Sequence, residues 1–444
     1  MEDNQEGEKL KNGLIYGLND KPPFKEAFFA ALQHLLAIFV AIITPPLIIA
    51  GALKLDAETT GYLVSMALFA SGISTFIQCR RFGGLGTGLL CIQGTSFSFI
   101  GPIIAAGTMG GLPLIFGSCI AASTVEMFIS RILKYTKRII TPLISGIVVT
   151  LIGMSLIKVG ITACGGGAAA QADGSFGSLR HVGLAALVLL LIIAFNRSSN
   201  RYMRMSSIVI GLVIGYIVAW FMGIVDFTSI QSYGGFNLPM PFRYGLDFSI
   251  STIIALGLIF MITAIEAYGD ITANSLISGE PVEGETFVKR ASDGILADGF
   301  NSMLAGMLNS FPNSVFAQNN GMIQLTGVAS RYVGYYIAGF LVILGLFPAV
   351  GLVFSLMPEP VLGGATLLMF GTVAAAGIRI IAAQEINRKA TLVMAISFSL
   401  GLSVELVPEI LCQLPETLRN IFSSGITTGG VTAILANALI HIKE

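Results

Sequence analysis

Uninterrupted apolar runs of roughly 17–25 residues dominate the chain, and that is the length an α-helix needs to cross the hydrocarbon core of a bilayer. They lie near 27–50, 61–79, 111–133, 139–160, 181–195, 206–225, 249–270, 331–351, 361–380, 391–407 and 425–442, with one more, rich in small residues, at 291–309. No stretch between them is polar enough to build a soluble domain. With 54% hydrophobic and 11% charged residues, the chain carries less than half the charge of a globular protein. It reads as a polytopic membrane protein. Residues 1–26 hold charges of both signs and no apolar run, which predicts a solvated tail and not a cleaved signal peptide. The five cysteines (Cys79, Cys91, Cys119, Cys164, Cys412) are scattered, without CxxC or a nearby His. They predict packing residues, with no metal, no disulfide framework and no cofactor.

Two further segments are too short and too polar to span cleanly: 87–101 (TGLLCIQGTSFSFIG) and 312–327 (PNSVFAQNNGMIQLTG). Counting both gives an all-α membrane protein of fourteen transmembrane segments, with segments 3 and 10 short and discontinuous. Loop charge tests that count. With a cytoplasmic N-terminus, fifteen basic residues fall inside: Arg80, Arg81, Arg131, Lys134, Lys137, Arg138, Arg197, Arg201, Arg204, Lys289, Arg290, Arg331, Arg379, Arg388 and Lys389. Five fall outside (Lys54, Lys158, Arg180, Arg243, Arg419). This asymmetry predicts a multi-pass protein of the cytoplasmic membrane with both termini inside.

An internal repeat is faintly visible. PLISGIVVTLIG from Pro142 and PVLGGATLLMFG from Pro360 share the pattern P-x3-G-x6-G, so that Gly146 and Gly153 answer to Gly364 and Gly371 at an offset of 218. The match is short enough for chance to produce. Seven segments repeated once must be inverted in the membrane, and paired interrupted segments in such repeats mark a transporter's midplane site.

Polar residues in AQNNGMIQLTGVASR (317–331) are tolerated in a membrane only where they line a cavity. Pro312 breaks the chain direction, and a half-helix beginning near Gly321 would aim unpaired N–H groups at the site. Gly94-Thr95-Ser96, between Gln93 and Phe97, answers it in the first half. A planar ligand bearing N–H donors and C=O acceptors suits this lining, because Gln318 offers both partners side by side. Phe97, Phe99 and Phe316 either cover such a ring or simply pack.

Few ionisable residues fall within the spans. Glu266 and Asp270 share one helical face four residues apart, Asp298 lies in GILADGF and His34 in ALQHLLAIFV. Two carboxylates on one face cannot both ionise cheaply in a low dielectric, so one is expected to hold a proton. The alternative is a structural pair satisfied by nearby hydroxyls, and His34 divides evenly between a structural bond and coupling. Glu126 and Lys158 are expected to snorkel from helix ends.

QNNGMIQLTG, Gln318 to Gly327, matches the signature [QEP]-N-x-G-x4-T-[RKG] of the nucleobase–ascorbate transporter family at Gln318, Asn319, Gly321, Thr326 and Gly327. The chain resembles that family almost end to end, from DKPPF at Asp20 through HLLAIFV, GDITA, LADG and FAQNN to GVTAIL at Gly430. Within the family the chain resembles bacterial xanthine permeases. The resemblance implies two inverted seven-helix repeats, with a core domain that moves as an elevator against a gate domain in a homodimer. The tail would end at residue 26. The core would comprise 27–138 and 249–358, the gate 139–248 and 359–444. It also implies proton-coupled uptake of a purine nucleobase, with neither enzyme activity nor nucleic-acid binding. Glu266 would bind the purine N–H groups and Gln318 its oxo/imino edge. Asn319 would support that loop, and Phe97 and Phe316 would flank the ring. Asp270, Asp298 and His34 would form the surrounding polar network. Ser96 stands where xanthine-selective relatives tend to have Asn, which argues against strict xanthine selectivity and leaves room for uric acid or another 8-substituted purine. Uracil transport, or anion exchange on the related sulfate-transporter fold, is the alternative. An anion exchanger would want a basic or backbone anion site, and an intramembrane enzyme a nucleophile–base pair that the sequence lacks.

Overall fold

The structure is a computed structural model that describes residues 14–136, 141–200, 203, 206–225, 238–382, 384–415, 418–419, 422 and 424–440. Lys137, Arg138, Arg201 and Arg204, four of the basic residues expected inside, lie outside the described residues, as does the boundary at 138/139. In chain order the elements begin with α1 (Phe24–Ala52), α2 (Ala57–Arg80), β1 (Gln93–Thr95), α3 (Ile100–Thr136), α4 (Pro142–Cys164) and α5 (Gly167–Asp173). Then come α6 (Leu179–Asn196), α7 (Ser207–Phe221), α8 (Ile250–Ile277), α9 (Gly284–Met307), β2 (Asn313–Val315) and α10 (Ala317–Thr326). The remainder are α11 (Arg331–Leu346), α12 (Pro348–Ser355), α13 (Glu359–Ala382), α14 (Arg388–Leu406) and α15 (Gly425–Leu439). Among the described residues eight helices are long and apolar enough to cross a membrane, and α7, α11 and α15 are shorter apolar helices.

Three expectations need correction. The chain is mostly helical but not all-α, because the two short polar segments each open with a three-residue strand, and β1 pairs antiparallel with β2 (Gln93 opposite Val315, Thr95 opposite Asn313). The reason is backbone satisfaction: where a helix is interrupted away from water, its N–H and C=O groups must find other partners. The half-helix after Pro312 begins at Ala317, not near Gly321. The run read as 331–351 breaks at Phe347, whose backbone is extended (φ −95°, ψ 108°) just before Pro348, since the residue preceding a proline is driven out of the helical region.

The first discontinuous segment continues through a 3-10 turn at Phe97–Phe99 into α3. Within α3, Gly110 and Gly111 leave helical geometry (Gly111 φ 68°, ψ −162°) shortly before Pro113. The half-helix therefore ends at that kink, and a full-length helix follows it.

Packing partners fall into two groups. In the first, α2 packs on α11, α12 and α1, while α3 packs on α8 and α9, with the β1–β2 pair among them. In the second, α4 packs along α13, α6 along α7 and α13, and α15 along α14 and α4. Small residues set the second group's closeness: a Cβ placed on Gly153 would stand 2.3 Å from the Ala374 backbone nitrogen. Between the groups, α8 touches α4 and α15.

The tail expected to be solvated is in part docked. The Ile15 and Tyr16 N–H groups donate to the Gly327 carbonyl (2.7 and 3.1 Å), Ala329 N–H to Tyr16 O (2.8 Å), and Arg331 N–H to Leu18 O (3.1 Å). The Tyr16 hydroxyl donates to the Glu26 carboxylate at 2.5 Å. This strap, the end of α10 and the first turns of α1 line a half-open cavity of about 270 Å³. Residues 14–18 (LIYGL) are apolar but only five long, too short for a search for long apolar runs to register.

Candidate functional site

The antiparallel strand pair brings two helix starts together. Ser96 N–H donates to the Pro312 carbonyl (2.9 Å) and Phe316 N–H to the Ile92 carbonyl (3.0 Å), extending the ladder at both ends. The 3-10 turn and α3 leave from one strand and α10 from the other, so both present first-turn N–H groups to one region. The Ser96 hydroxyl accepts from Ser98 N–H at 3.4 Å.

On α10 one face is open: Ala317, Gln318, Gly321 and Gln324 are exposed, while Asn319, Asn320, Met322 and Ile323 are buried. A Cβ on Gly321 would meet nothing within 4 Å. Asn319 is the anchor of this turn. Its side-chain amide donates to the Leu90 carbonyl at 2.6 Å and its carbonyl oxygen accepts from His34 Nδ1 at 2.8 Å, which assigns the proton to that ring nitrogen. His34 is thereby a buried partner of Asn319. Asn320 Nδ2 donates to the Asp270 backbone carbonyl at 3.2 Å, tying α10 to α8. Thr326 and Gly327 stop the helix: the Thr326 hydroxyl donates to Met322 O (2.8 Å), and Gly327 takes φ 69° with its N–H on Ile323 O, a left-handed C-cap that glycine adopts without strain. Of the five signature residues, then, Gln318 and Gly321 are open to a ligand, and Asn319, Thr326 and Gly327 shape the element.

Glu266 and Asp270 are half-buried on α8, which packs against α10. The Ser98 hydroxyl donates to Glu266 Oε2 at 3.5 Å, a long contact from the first half-helix to α8. Asp298 is fully buried on α9, and one of its oxygens accepts from Gln93 Nε2. Gln93 Oε1 in turn accepts from Asn301 Nδ2 at 2.6 Å. The second strand has its counterpart: Asn313 Nδ2 donates to Ser74 Oγ at 2.9 Å and the Ser302 hydroxyl donates to the Asn313 carbonyl at 2.9 Å. Low dielectric makes such buried bonds strong and unpaired members costly. Asn301 and Asn313 went unread in the sequence, although Asn301 and Ser302 sit three and four residues after Asp298 on the same helical face.

The aromatics divide. Phe99 packs against Phe260 with the rings tilted by 54° (centroids 4.5 Å apart) and is a core residue. Phe97 meets Phe370 of α13 edge-on at 5.6 Å, so it touches the other packing group. Phe316 lies over Gly94, where an added Cβ would stand 2.6 Å from the ring. Glu126 departs most from its expectation. It does not snorkel; it is fully buried in mid-helix, its Oε1 accepting from the Thr263 hydroxyl at 3.5 Å. A side chain can reach the membrane edge only from the last turns of a helix, and Glu126 stands ten residues before α3 ends at Thr136. Lys158 is exposed, its ammonium donating to the Glu405 carbonyl at 3.3 Å. Four cysteines are buried and free, and Cys412 is free and exposed.

The polar layer lies inside an apolar helical body and holds no metal cluster among the described residues. The family model described as Permease family matches residues 25–410. Xanthine permease XanP of Escherichia coli (strain K12) is 50% identical over 436 residues, 96% of this chain and 94% of that protein. Xanthine permease XanQ of the same strain is 48% identical over the same shares of each. Among solved structures, the murine anion transporter Solute Carrier 26 family member A9, in an inward-facing state, is similar with a TM-score of 0.62 at 11% identity, over 95% of this chain and 69% of that one. The strand-opened segments that carry Gln318 and Ser96 thus belong to a multi-pass membrane transporter and not to an enzyme, and the chain is a member of the nucleobase–ascorbate transporter family.

Proposed function

We propose that this permease takes up purine nucleobases, xanthine foremost and uric acid as a second substrate, in symport with a proton across the cytoplasmic membrane. One observation carries the reading: the open face of α10 presents Gln318 beside Gly321, with the half-buried carboxyls Glu266 and Asp270 on the helix packed against it. Gln318 supplies a donor and an acceptor for the oxo/imino edge, Glu266 accepts from purine N–H groups, and Phe97 and Phe316 flank the ring. Ser96, smaller than an amide, leaves space beside the imidazole portion. Asn319 holds the Gln318 turn, backed by His34. Asp270 and Asp298, behind the site, carry the coupling.

Transport follows from the two packing groups. The core (27–138 and 249–358) moves as an elevator against the gate (139–248 and 359–444), and the gate supports a homodimer. Fourteen segments in two inverted repeats of seven account for the bonds around the strands. Ser96 to Pro312 and Phe316 to Ile92 are exchanged by one shift of 220 residues, close to the 218 that relates the glycine patterns. Both termini would then face the cytoplasm.

Anion exchange is the second reading, favoured by the likeness to the murine anion transporter. The carboxyls beside the two helix starts weigh against it, because they repel an anion. Uptake of labelled xanthine, urate, uracil and sulfate into proteoliposomes, with and without a proton gradient, separates the readings. Xanthine accumulation that collapses with the gradient is expected, and sulfate transport without xanthine transport would overturn the proposal.

A further inference from the structure

The carboxyl that the proposed mechanism leaves unused is Glu126. It lies where three helices meet. α8 meets it through the Thr263 hydroxyl and carries Glu266 one turn on, and α9, which packs on α3, carries the fully buried Asp298. The close approach comes from Gly299, where an added Cβ would stand 3.0 Å from the Ser123 carbonyl and the Met127 backbone nitrogen. Among the described residues no lysine or arginine pairs with Glu126, Glu266, Asp270 or Asp298.

Glu126 Oε2 and Asp298 Oδ2 are both buried and neither has a donor, and the close approach at Gly299 sets the turn that carries Asp298 against the turn that carries Glu126. A carboxylate has no hydrogen to give, so two such buried oxygens can satisfy each other only when one of the two carboxyls keeps its proton. Two bare carboxylates at that spacing, away from water, would repel strongly.

We propose that Glu126 and Asp298 act as one acid that shares a single proton, and that this pair, through Gln93, couples protonation to the strand pair beneath the substrate. The inference rests on the proton-symport reading. With the proton in place, Glu126 O–H donates to Asp298, whose other oxygen accepts from Gln93 Nε2. Gln93 is also the residue of β1 paired with Val315, one residue before Phe316. Loss of the proton leaves two facing carboxylates, which pushes α9 from α3 and loosens Gln93. Glu126 is a positioning residue and touches no substrate.

The test compares the parent with Glu126→Gln and Glu126→Asp in proteoliposomes, using labelled xanthine, together with infrared spectra of the purified protein. Glu126→Gln should bind and exchange xanthine as the parent does, lose accumulation driven by a proton gradient, and flatten the pH profile. It should also remove one protonated-carboxyl band. Glu126→Asp should restore the band and part of the accumulation. Unchanged accumulation and pH profile in Glu126→Gln, beside a gradient-dependent parent, overturns the role of Glu126 alone. A parent that ignores the gradient overturns the symport reading and this role with it. Where Glu126→Gln does not fold, the parent's band and the Glu126→Asp pH profile decide: absence of a protonated-carboxyl band in the parent overturns the shared proton.

Discussion

The two discontinuous segments share one backbone device and use it differently. Each opens with a three-residue strand whose amide side chain is locked into a neighbouring helix, Gln93 into α9 and Asn313 into α2. After the strands they diverge. Phe97, Ser98 and Phe99 turn inwards and are buried, whereas Ala317, Gln318, Gly321 and Gln324 stay open. Paired backbones fix where both helices start. The side chains of the next turn decide that one segment supports and the other recognises.

The strongest way to break this contrast lies beside the recognising segment. Asp270→Asn should abolish concentrative uptake while equilibrium exchange persists, because the pair with Glu266 would lose the member whose protonation changes with the cycle. Net uptake and exchange at several pH values measure it, and accumulation with a normal pH dependence moves the coupling to Glu266, Asp298 or His34. Next in size is Gln318→Ala, which leaves a buried ligand edge unpaired at about 1–3 kcal/mol, tenfold in affinity for about every 1.4 kcal/mol. Xanthine binding in detergent that does not change would show that the open face is not the recognising one.

A pair of glycine substitutions sharpens the comparison further. Gly94→Ala drives a Cβ into the Phe316 ring and Ile42 and should lower thermal stability in detergent, with overpacking costing about 1–3 kcal/mol. Gly321→Ala enters open space and should keep or raise stability by up to about 1 kcal/mol while weakening substrate binding. Equal unfolding temperatures for the two would remove the distinction between a packed and an open segment. A smaller effect is expected from Ser96→Asn, which fills space and adds an amide, narrowing competition by urate relative to xanthine. If urate and 8-methylxanthine compete equally against parent and variant, Ser96 does not shape the pocket.

The smallest effect serves as a control outside both segments. Asp56 caps α2, and the Thr59 backbone N–H, then its hydroxyl, hold the Asp56 carboxyl below its usual range. A lowered folded value means the stability is present above the unfolded value and is lost as pH falls through the folded one. The thermal-stability difference between parent and Asp56→Ala should therefore shrink on acidification, with binding unchanged throughout.

Hydrophobic run length, loop charge and the QNNGMIQLTG signature made the membrane class, the family and the special character of residues 93–97 and 317–327 legible in the sequence alone. These are local properties: a helix long enough to span, or a polar stretch intolerable in lipid, announces itself without its neighbours. Only the tertiary structure decided that the two breaks pair as strands, that His34 serves Asn319, that residues 15–18 strap the end of α10, and that the turns carrying Glu126 and Asp298 are buried side by side. Each depends on contacts between residues more than a hundred positions apart, where a hydrogen-bond donor in one helix meets an acceptor in another. A polar residue on a helix can be read from sequence, but its partner is set by which helices the packing brings together.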